Sequence, residues 1–284
     1  MASGITLEPS YKLYVYYTRY SSWGVRVQLI LEYFKIPYEV QYFNYTNPVL
    51  TPTNEMKTLP VLDVTFPSAS TTTTGQEQNQ EEGDPESLRI ADSLAISEYL
   101  AEAHPHLPLW PADPTLRALA RVAAAKMHSG FTALRAAYPS NFVAKFSGSG
   151  IERSEDVAWD VQQLFKLWEN TRQAAKKRLA KIGEEDRGFL CGGFSIADAF
   201  FWPVLWRLRT YNVPLAGLTQ EGVKWITTMW NDPVMKAQER EYFRQAADPL
   251  SAMKPYDDIF VDSPGITSGT FTEDWVFDVS GVSL

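Results

Sequence analysis

Apolar positions in residues 11–39 change period twice. Leu13 and Val15, among tyrosines, make a β-branched and aromatic run with strand character. Val25, Leu29, Ile30, Tyr33 and Phe34 then recur at helical spacing, and the chain from Tyr38 reads as extended again. This predicts strand, helix, strand, with Ser21-Ser22 at the helix entrance. Serines there are either N-caps for the orphan N–H groups of the first turn, or hydroxyls that serve an anion or thiolate held by the helix terminus.

Asn44 to Pro52 is turn-rich, and residues 53–58 have room only for a short helix. Val61 to Phe66 alternates like a strand and follows Leu59-Pro60, an X-Pro bond whose local pattern alone predicts trans. Residues 67–86 are low in complexity and carry no large apolar side chain, so their composition predicts a disordered insertion. Leu88-Arg89-Ile90 resumes as a short strand; after Asp92-Ser93, Leu94, Ile96, Tyr99 and Leu100 mark a helix. Residues 11–103 thus read βαβ then ββα, an α/β domain behind an arm at 1–10.

The proline-rich stretch 104–114 is a linker, and Asp113-Pro114 is a good helix start. Helical patterns follow near 115–138, 155–181, 196–210, 220–230 and 233–246, giving an all-α second domain over 115–248. Within it, Ser195 and Asp198 form a capping box with Phe194 at the staple position, a structural device. Residues 249–284, rich in Pro, Asp, Ser and Gly, read as an extended tail.

A net charge of −8 and a pI near 5.0 argue against a nucleic-acid or anionic-membrane binder. One cysteine, Cys191, excludes an intrachain disulfide, and with three histidines it leaves a structural zinc site without ligands, so no metal is expected. The N-terminus lacks a signal-like apolar region, and no apolar run approaches membrane-spanning length, so a cytoplasmic location is expected.

The combination of a βαβ–ββα domain, an X-Pro before its third strand, an acidic-Ser pair before the next helix and an all-helical second half resembles the glutathione transferase superfamily. The likeness spans roughly residues 11–247. Ser21-Ser22-Trp23-Gly24-Val25-Arg26 is similar to the serine-type zeta (maleylacetoacetate isomerase-like) start and to a bacterial-type NYSSWS branch. Asn54 to Pro60 resembles the zeta NPMKxVP segment, which implies a cis Leu59–Pro60 bond. Asp92-Ser93-Leu94-Ala95-Ile96 resembles the Glu/Gln-Ser-x-Ala-Ile motif, and Trp110 to Pro114 the entry to the helical domain.

The resemblance implies a thioredoxin-like domain that binds glutathione, followed by a helical domain whose face holds an electrophile. Ser21, with Ser22 as the alternative, would donate to the thiolate. Leu59 beside cis Pro60 would meet the cysteinyl backbone, Asp92 the γ-glutamyl ammonium, Ser93 its carboxylate, and Lys57 a carboxylate. Trp23, Met127, His128, Phe131, Arg135, Asn141, Arg207, Arg209 and Tyr211 are the candidates for the substrate pocket. Arg209 is the arginine expected to take an acidic substrate, because its fork suits a carboxylate; the zeta substrate arginine itself falls on Thr210, a departure that argues against maleylacetoacetate isomerase activity.

The function so implied is thiolate addition to an electrophilic small molecule, in detoxification or a metabolic step. The alternatives are glutathione-dependent cis–trans isomerisation of a small, acidic metabolite, and a non-catalytic binding or assembly module. The absence of Cys-x-x-Cys argues against thiol–disulfide exchange. A homodimer is the family expectation.

Overall fold

The computed structural model describes residues 8–52, 56–67 and 86–278. The core of the arm (1–7), part of the expected short helix (53–55), nearly all of the insertion (68–85) and residues 279–284 lie outside the described residues. Met56 to Thr58 are not helical.

The first domain runs β1 (Ser10–Tyr16), α1 (Ser22–Tyr33), β2 (Glu39–Phe43), β3 (Val61–Thr65), β4 (Ser87–Ala91) and α2 (Ser93–Ala103). Its sheet has the order β2-β1-β3-β4, with β1 parallel to β2 and antiparallel to β3, and β3 antiparallel to β4. Alternation along β1 sends Tyr11, Leu13 and Val15 into the core. α1 lies so close to β1 that a Cβ at Gly24 would stand 2.8 Å from Val15 Cγ1, which reserves that position for glycine. The close approach fixes where α1 begins.

This topology sets up the site. β1 and β4 both pair antiparallel with β3, so they run the same way and finish at one end of the sheet. β3 starts at that same end, with Tyr14 opposite Val61 and Val61 opposite Ala91. The start of α1, the residues entering β3 and the start of α2 therefore converge on a single edge.

The second domain comprises α3 (Pro114–Ser129), α4 (Thr132–Ala137), α5 (Glu155–Ile182), α6 (Ile196–Thr210), α7 (Gln220–Asn231) and α8 (Pro233–Ala247). The helix expected over 115–138 is two helices: the first ends at Gly130, and Phe131 takes a left-handed conformation, φ 54°, before α4. α6 begins with the expected capping box. Asp198, fully buried, accepts from Ser195 N–H and Oγ at 3.0 and 3.1 Å, from Leu190 N–H at 2.8 Å and from Trp225 Nε1 at 2.9 Å. α1 and α3 both pack on α6, whose side chains are buried nearly all round, making it the central post of the molecule.

Residues 249–278 are not the extended tail expected from their composition. A short helix, α9 (Lys254–Asp257), follows, and β6 (Thr267–Thr270) pairs antiparallel with β5 (Ala144–Ser147). Asn44 Nδ2 donates to the carbonyls of Leu250 and Ala252 at 2.8 and 2.9 Å, and the Tyr20 hydroxyl lies 2.8 and 2.7 Å from the two carboxylate oxygens of Asp257. The segment straps the helical domain to the start of α1. Among the described residues no helix is long and apolar enough to cross a membrane.

Candidate active site

Ser21 caps α1 from an extended conformation, and its Oγ accepts from Gly24 N–H at 3.3 Å. Only a lone pair is used, so the hydroxyl proton stays free to donate. Ser22 is buried, and its Oγ accepts from Arg207 Nη2 at 3.2 Å, which leaves its proton free as well. No acidic side chain occupies the first turn of α1 to neutralise the helix dipole. Both hydroxyls open on a cleft of about 560 Å³ between the two domains.

Trp23 and Leu59 from the first domain, Arg135, Ser140 and Arg207 from the second, and Tyr256 from the returning segment line this cleft. Arg207 is held by Tyr138 and Pro203 carbonyls at 2.8 and 3.2 Å as well as by Ser22. Arg135 donates to the His128 and Gly130 carbonyls, and its guanidinium lies 4.5 Å from the Trp23 ring centre. Arg26, 1% exposed, lies 4.6 Å from the same ring and 4.8 Å from Phe200, with its Nε and Nη1 unpartnered among the described residues.

These cations crowd one another. Burial, then repulsion from Arg207 and Arg135, holds Arg26 well below the usual arginine range, although Asp92 partly compensates. Burial followed by repulsion from Arg135 brings Arg207 down to about 10. An anion in the cleft would relieve the penalty on Arg207, which lines it. Ser140 Oγ is buried without a partner among the described residues.

At the start of α2, Asp92 has φ +80°, an unusual conformation for a residue with a Cβ. Its Oδ1 accepts from Leu94 and Ala95 N–H at 2.8 and 3.1 Å, and its Oδ2 lies 3.3 Å from His128 Nε2. Ser93 is 1% exposed, and its Oγ has no hydrogen-bond partner among the described residues. An orphaned hydroxyl at a helix N-terminus is suited to a carboxylate. Leu59 is buried against the cleft, and Leu59–Pro60 is cis.

The fold thus gathers Ser21, Ser22, Trp23, Leu59, Arg135 and Arg207 at one cleft, with Asp92, Ser93 and His128 beside Trp23 or at the same sheet edge. Other candidates go elsewhere. Met127 is fully buried in the core, because its position on α3 faces inward. Phe131 is spent on the α3–α4 break and packs on the core. Tyr211 is buried on Tyr138 with its hydroxyl donating to the Pro139 carbonyl at 2.9 Å. Arg209 leaves α6 on the face away from the cleft and enters a separate aromatic cage. Lys57 is exposed and is not among the residues lining the cleft, and Asn141 Nδ2 donates instead to Asp257 Oδ1 at 3.1 Å. Cys191 is buried, which pushes its thiol pKa up and away from thiolate chemistry.

Sequence reasoning missed Tyr16, Tyr20, Tyr45, Ser140, Met253 and Tyr256 on the cleft wall. Tyr256 and Met253 sit in the stretch that composition alone reads as tail. Arg26 entered only as a motif position, although a lone arginine within the apolar run Val25 to Leu31 was a signal of a buried cation.

The family model described as glutathione S-transferase, N-terminal domain, matches residues 20–103, and that for the C-terminal domain matches 161–234. The chain belongs to the glutathione S-transferase superfamily. It is 27% identical over 212 residues to a maleylacetoacetate isomerase of Dictyostelium discoideum, covering 72% of this chain and 81% of that protein. Among solved structures it is similar to glutathione transferase Omega 2C of Trametes versicolor, with TM-score 0.53 and 21% identity over 84% of this chain and 99% of that one. It is also similar to a maleylacetoacetate isomerase of Anaeromyxobacter dehalogenans, with TM-score 0.51 and 19% identity over 87% and 96% of the two chains. At these identities the two structures speak for the fold alone.

Proposed function

We propose that the protein is a glutathione-dependent enzyme of the serine type, which stabilises the glutathione thiolate at the start of α1 for attack on an electrophilic small molecule. The observation that carries this reading is the pair of hydroxyls, Ser21 and Ser22, with uncommitted protons at a helix N-terminus that opens on the interdomain cleft. Glutathione supplies a thiol whose deprotonated form is the nucleophile. Ser21 donates to that sulfur, and Ser22, held by Arg207, is the second donor. Ser93 takes the γ-glutamyl carboxylate, Asp92 its ammonium, and the Leu59 main chain the cysteinyl segment.

A second reading is favoured by the crowded cations. Arg26, Arg135 and Arg207 suit a substrate that is itself an acid, and the relative from Dictyostelium discoideum is a maleylacetoacetate isomerase. In that reading the reaction moves a double bond's geometry and glutathione is returned. Incubation with an unsaturated dicarboxylate separates the two, since conjugation consumes free thiol and isomerisation does not. As in the rest of the family, a homodimer is expected.

The test is the pH titration of thiolate absorbance for glutathione bound to wild type, Ser21→Ala and Ser22→Ala. The wild type should hold the bound thiol below its free value of about 8.5. Loss of the donating hydroxyl should raise it by about 1–2 with binding retained. Binding without a lowered pKa would leave Ser21 as a cap and Ser22 as an acceptor for Arg207, and end the proposed mechanism; no binding at all would make the chain a binding or assembly module.

A further inference from the structure

A second cavity, about 590 Å³, shares no lining residue with the thiol cleft. It lies where α6 and α7 meet the returning segment, and Arg209, Trp230, Phe271, Trp275 and Phe277 contribute to its wall. That volume is typical of a small-molecule site. Nothing in the thiol chemistry uses it.

Arg209 is the unusual member of this wall. Its guanidinium lies 4.2 Å from the centre of Phe142, 4.3 Å from Phe271, 4.9 Å from Trp275 and 5.1 Å from Trp230. Its Nη2 donates to the Phe142 carbonyl, while Nε and Nη1 are shut off from solvent and have no hydrogen-bond partner among the described residues. Ring faces attract a cation but satisfy no N–H donor in the way an oxygen does. Glu239 attracts Arg209 electrostatically but makes no hydrogen bond with it, and its own Oε1 is likewise unpartnered among the described residues. Guanidinium N–H groups buried without a hydrogen-bonded anion are costly, and an apolar side chain of similar size would pack as well. Lys145, 5.6 Å from the Phe271 ring, adds positive charge to the wall, and Asp278 adds one negative charge.

We propose that this cavity is a binding site for a planar aromatic carboxylate, its ring among Trp230, Phe271 and Trp275 and its carboxylate toward Arg209. The ring walls select an aromatic body by offset and edge contacts. The guanidinium selects the carboxylate over an uncharged analogue. The site depends on the returning segment, which supplies Phe271 and Trp275. It is independent of the thiol reaction.

The experiment is titration calorimetry of the full chain with 2-naphthoate and with uncharged 2-naphthamide. Saturable binding of naphthoate at least tenfold tighter than the amide is expected. Arg209→Met and Trp275→Leu should each weaken naphthoate at least tenfold, whereas Trp23→Leu in the thiol cleft should leave it within twofold. Trp275→Leu keeps the test valid if Arg209→Met does not fold. Absence of binding, equal affinity for the amide, or retention in Trp275→Leu with loss in Trp23→Leu would each overturn the proposal.

Discussion

Arg207 and Arg209 leave the same helix two residues apart and meet opposite surroundings. A step of two residues turns an α-helix by about 200°, so the pair cannot share a face. Arg207 reaches the thiol cleft and spends its donors on the Tyr138 and Pro203 carbonyls and on Ser22. Arg209 reaches a cage of rings and leaves Nε and Nη1 unpaired among the described residues. Like residues at near-identical sequence positions thus do different work: one positions a hydroxyl, the other waits on an aromatic wall.

The largest effect that sharpens this contrast is on stability. Arg207→Met removes a charged donor from three acceptors and should cost about 3 kcal/mol, whereas Arg209→Met, which replaces a caged cation by an apolar chain, should change stability by less than about 1 kcal/mol. Urea unfolding of both variants checks this, and equal costs would break the contrast.

Glu239 gives the next largest effect. Burial, partly offset by Arg209, raises its carboxyl to about 7. The folded value lies above the unfolded one, so the stabilisation is complete below about pH 4.3 and is lost as pH rises through 7. Glu239→Gln should therefore flatten the fall in stability between pH 5 and pH 8 by about 1–2 kcal/mol after discounting for solvent access. An unchanged slope would show that Glu239 is not the titrating group beside Arg209.

The smallest effect concerns the cleft side. The Tyr20 hydroxyl lies against the Asp257 carboxylate and accepts from Met253 N–H at 3.1 Å. Tyr20→Phe should cost about 1 kcal/mol and speed hydrogen exchange at the Met253 amide. Unaltered exchange would mean that the strap is held elsewhere.

What could be read from the sequence follows the range of the interactions. The α/β domain was legible because alternation in β1, the Ser21 cap and the Asp92 cap are local, and the Ser195–Asp198 box marks the start of α6 within four residues. The α3–α4 break was hidden because Phe131, unlike glycine, does not advertise a left-handed conformation. The strap was hidden because Thr267 to Thr270 is short, polar and exposed, and gains strand structure only against β5. Arg209 was misassigned because residue type was weighed without the turn of the helix.

The strap also sets an order of events. Domains fold as they emerge from the ribosome, N-terminal first. A chain grown to residue 248 already holds every strand of the first sheet and helices α3 to α8 of the second domain, yet its cleft lacks Met253 and Tyr256 as a wall. Folding of the scaffold and completion of the site are thus separate milestones in the life of the nascent chain.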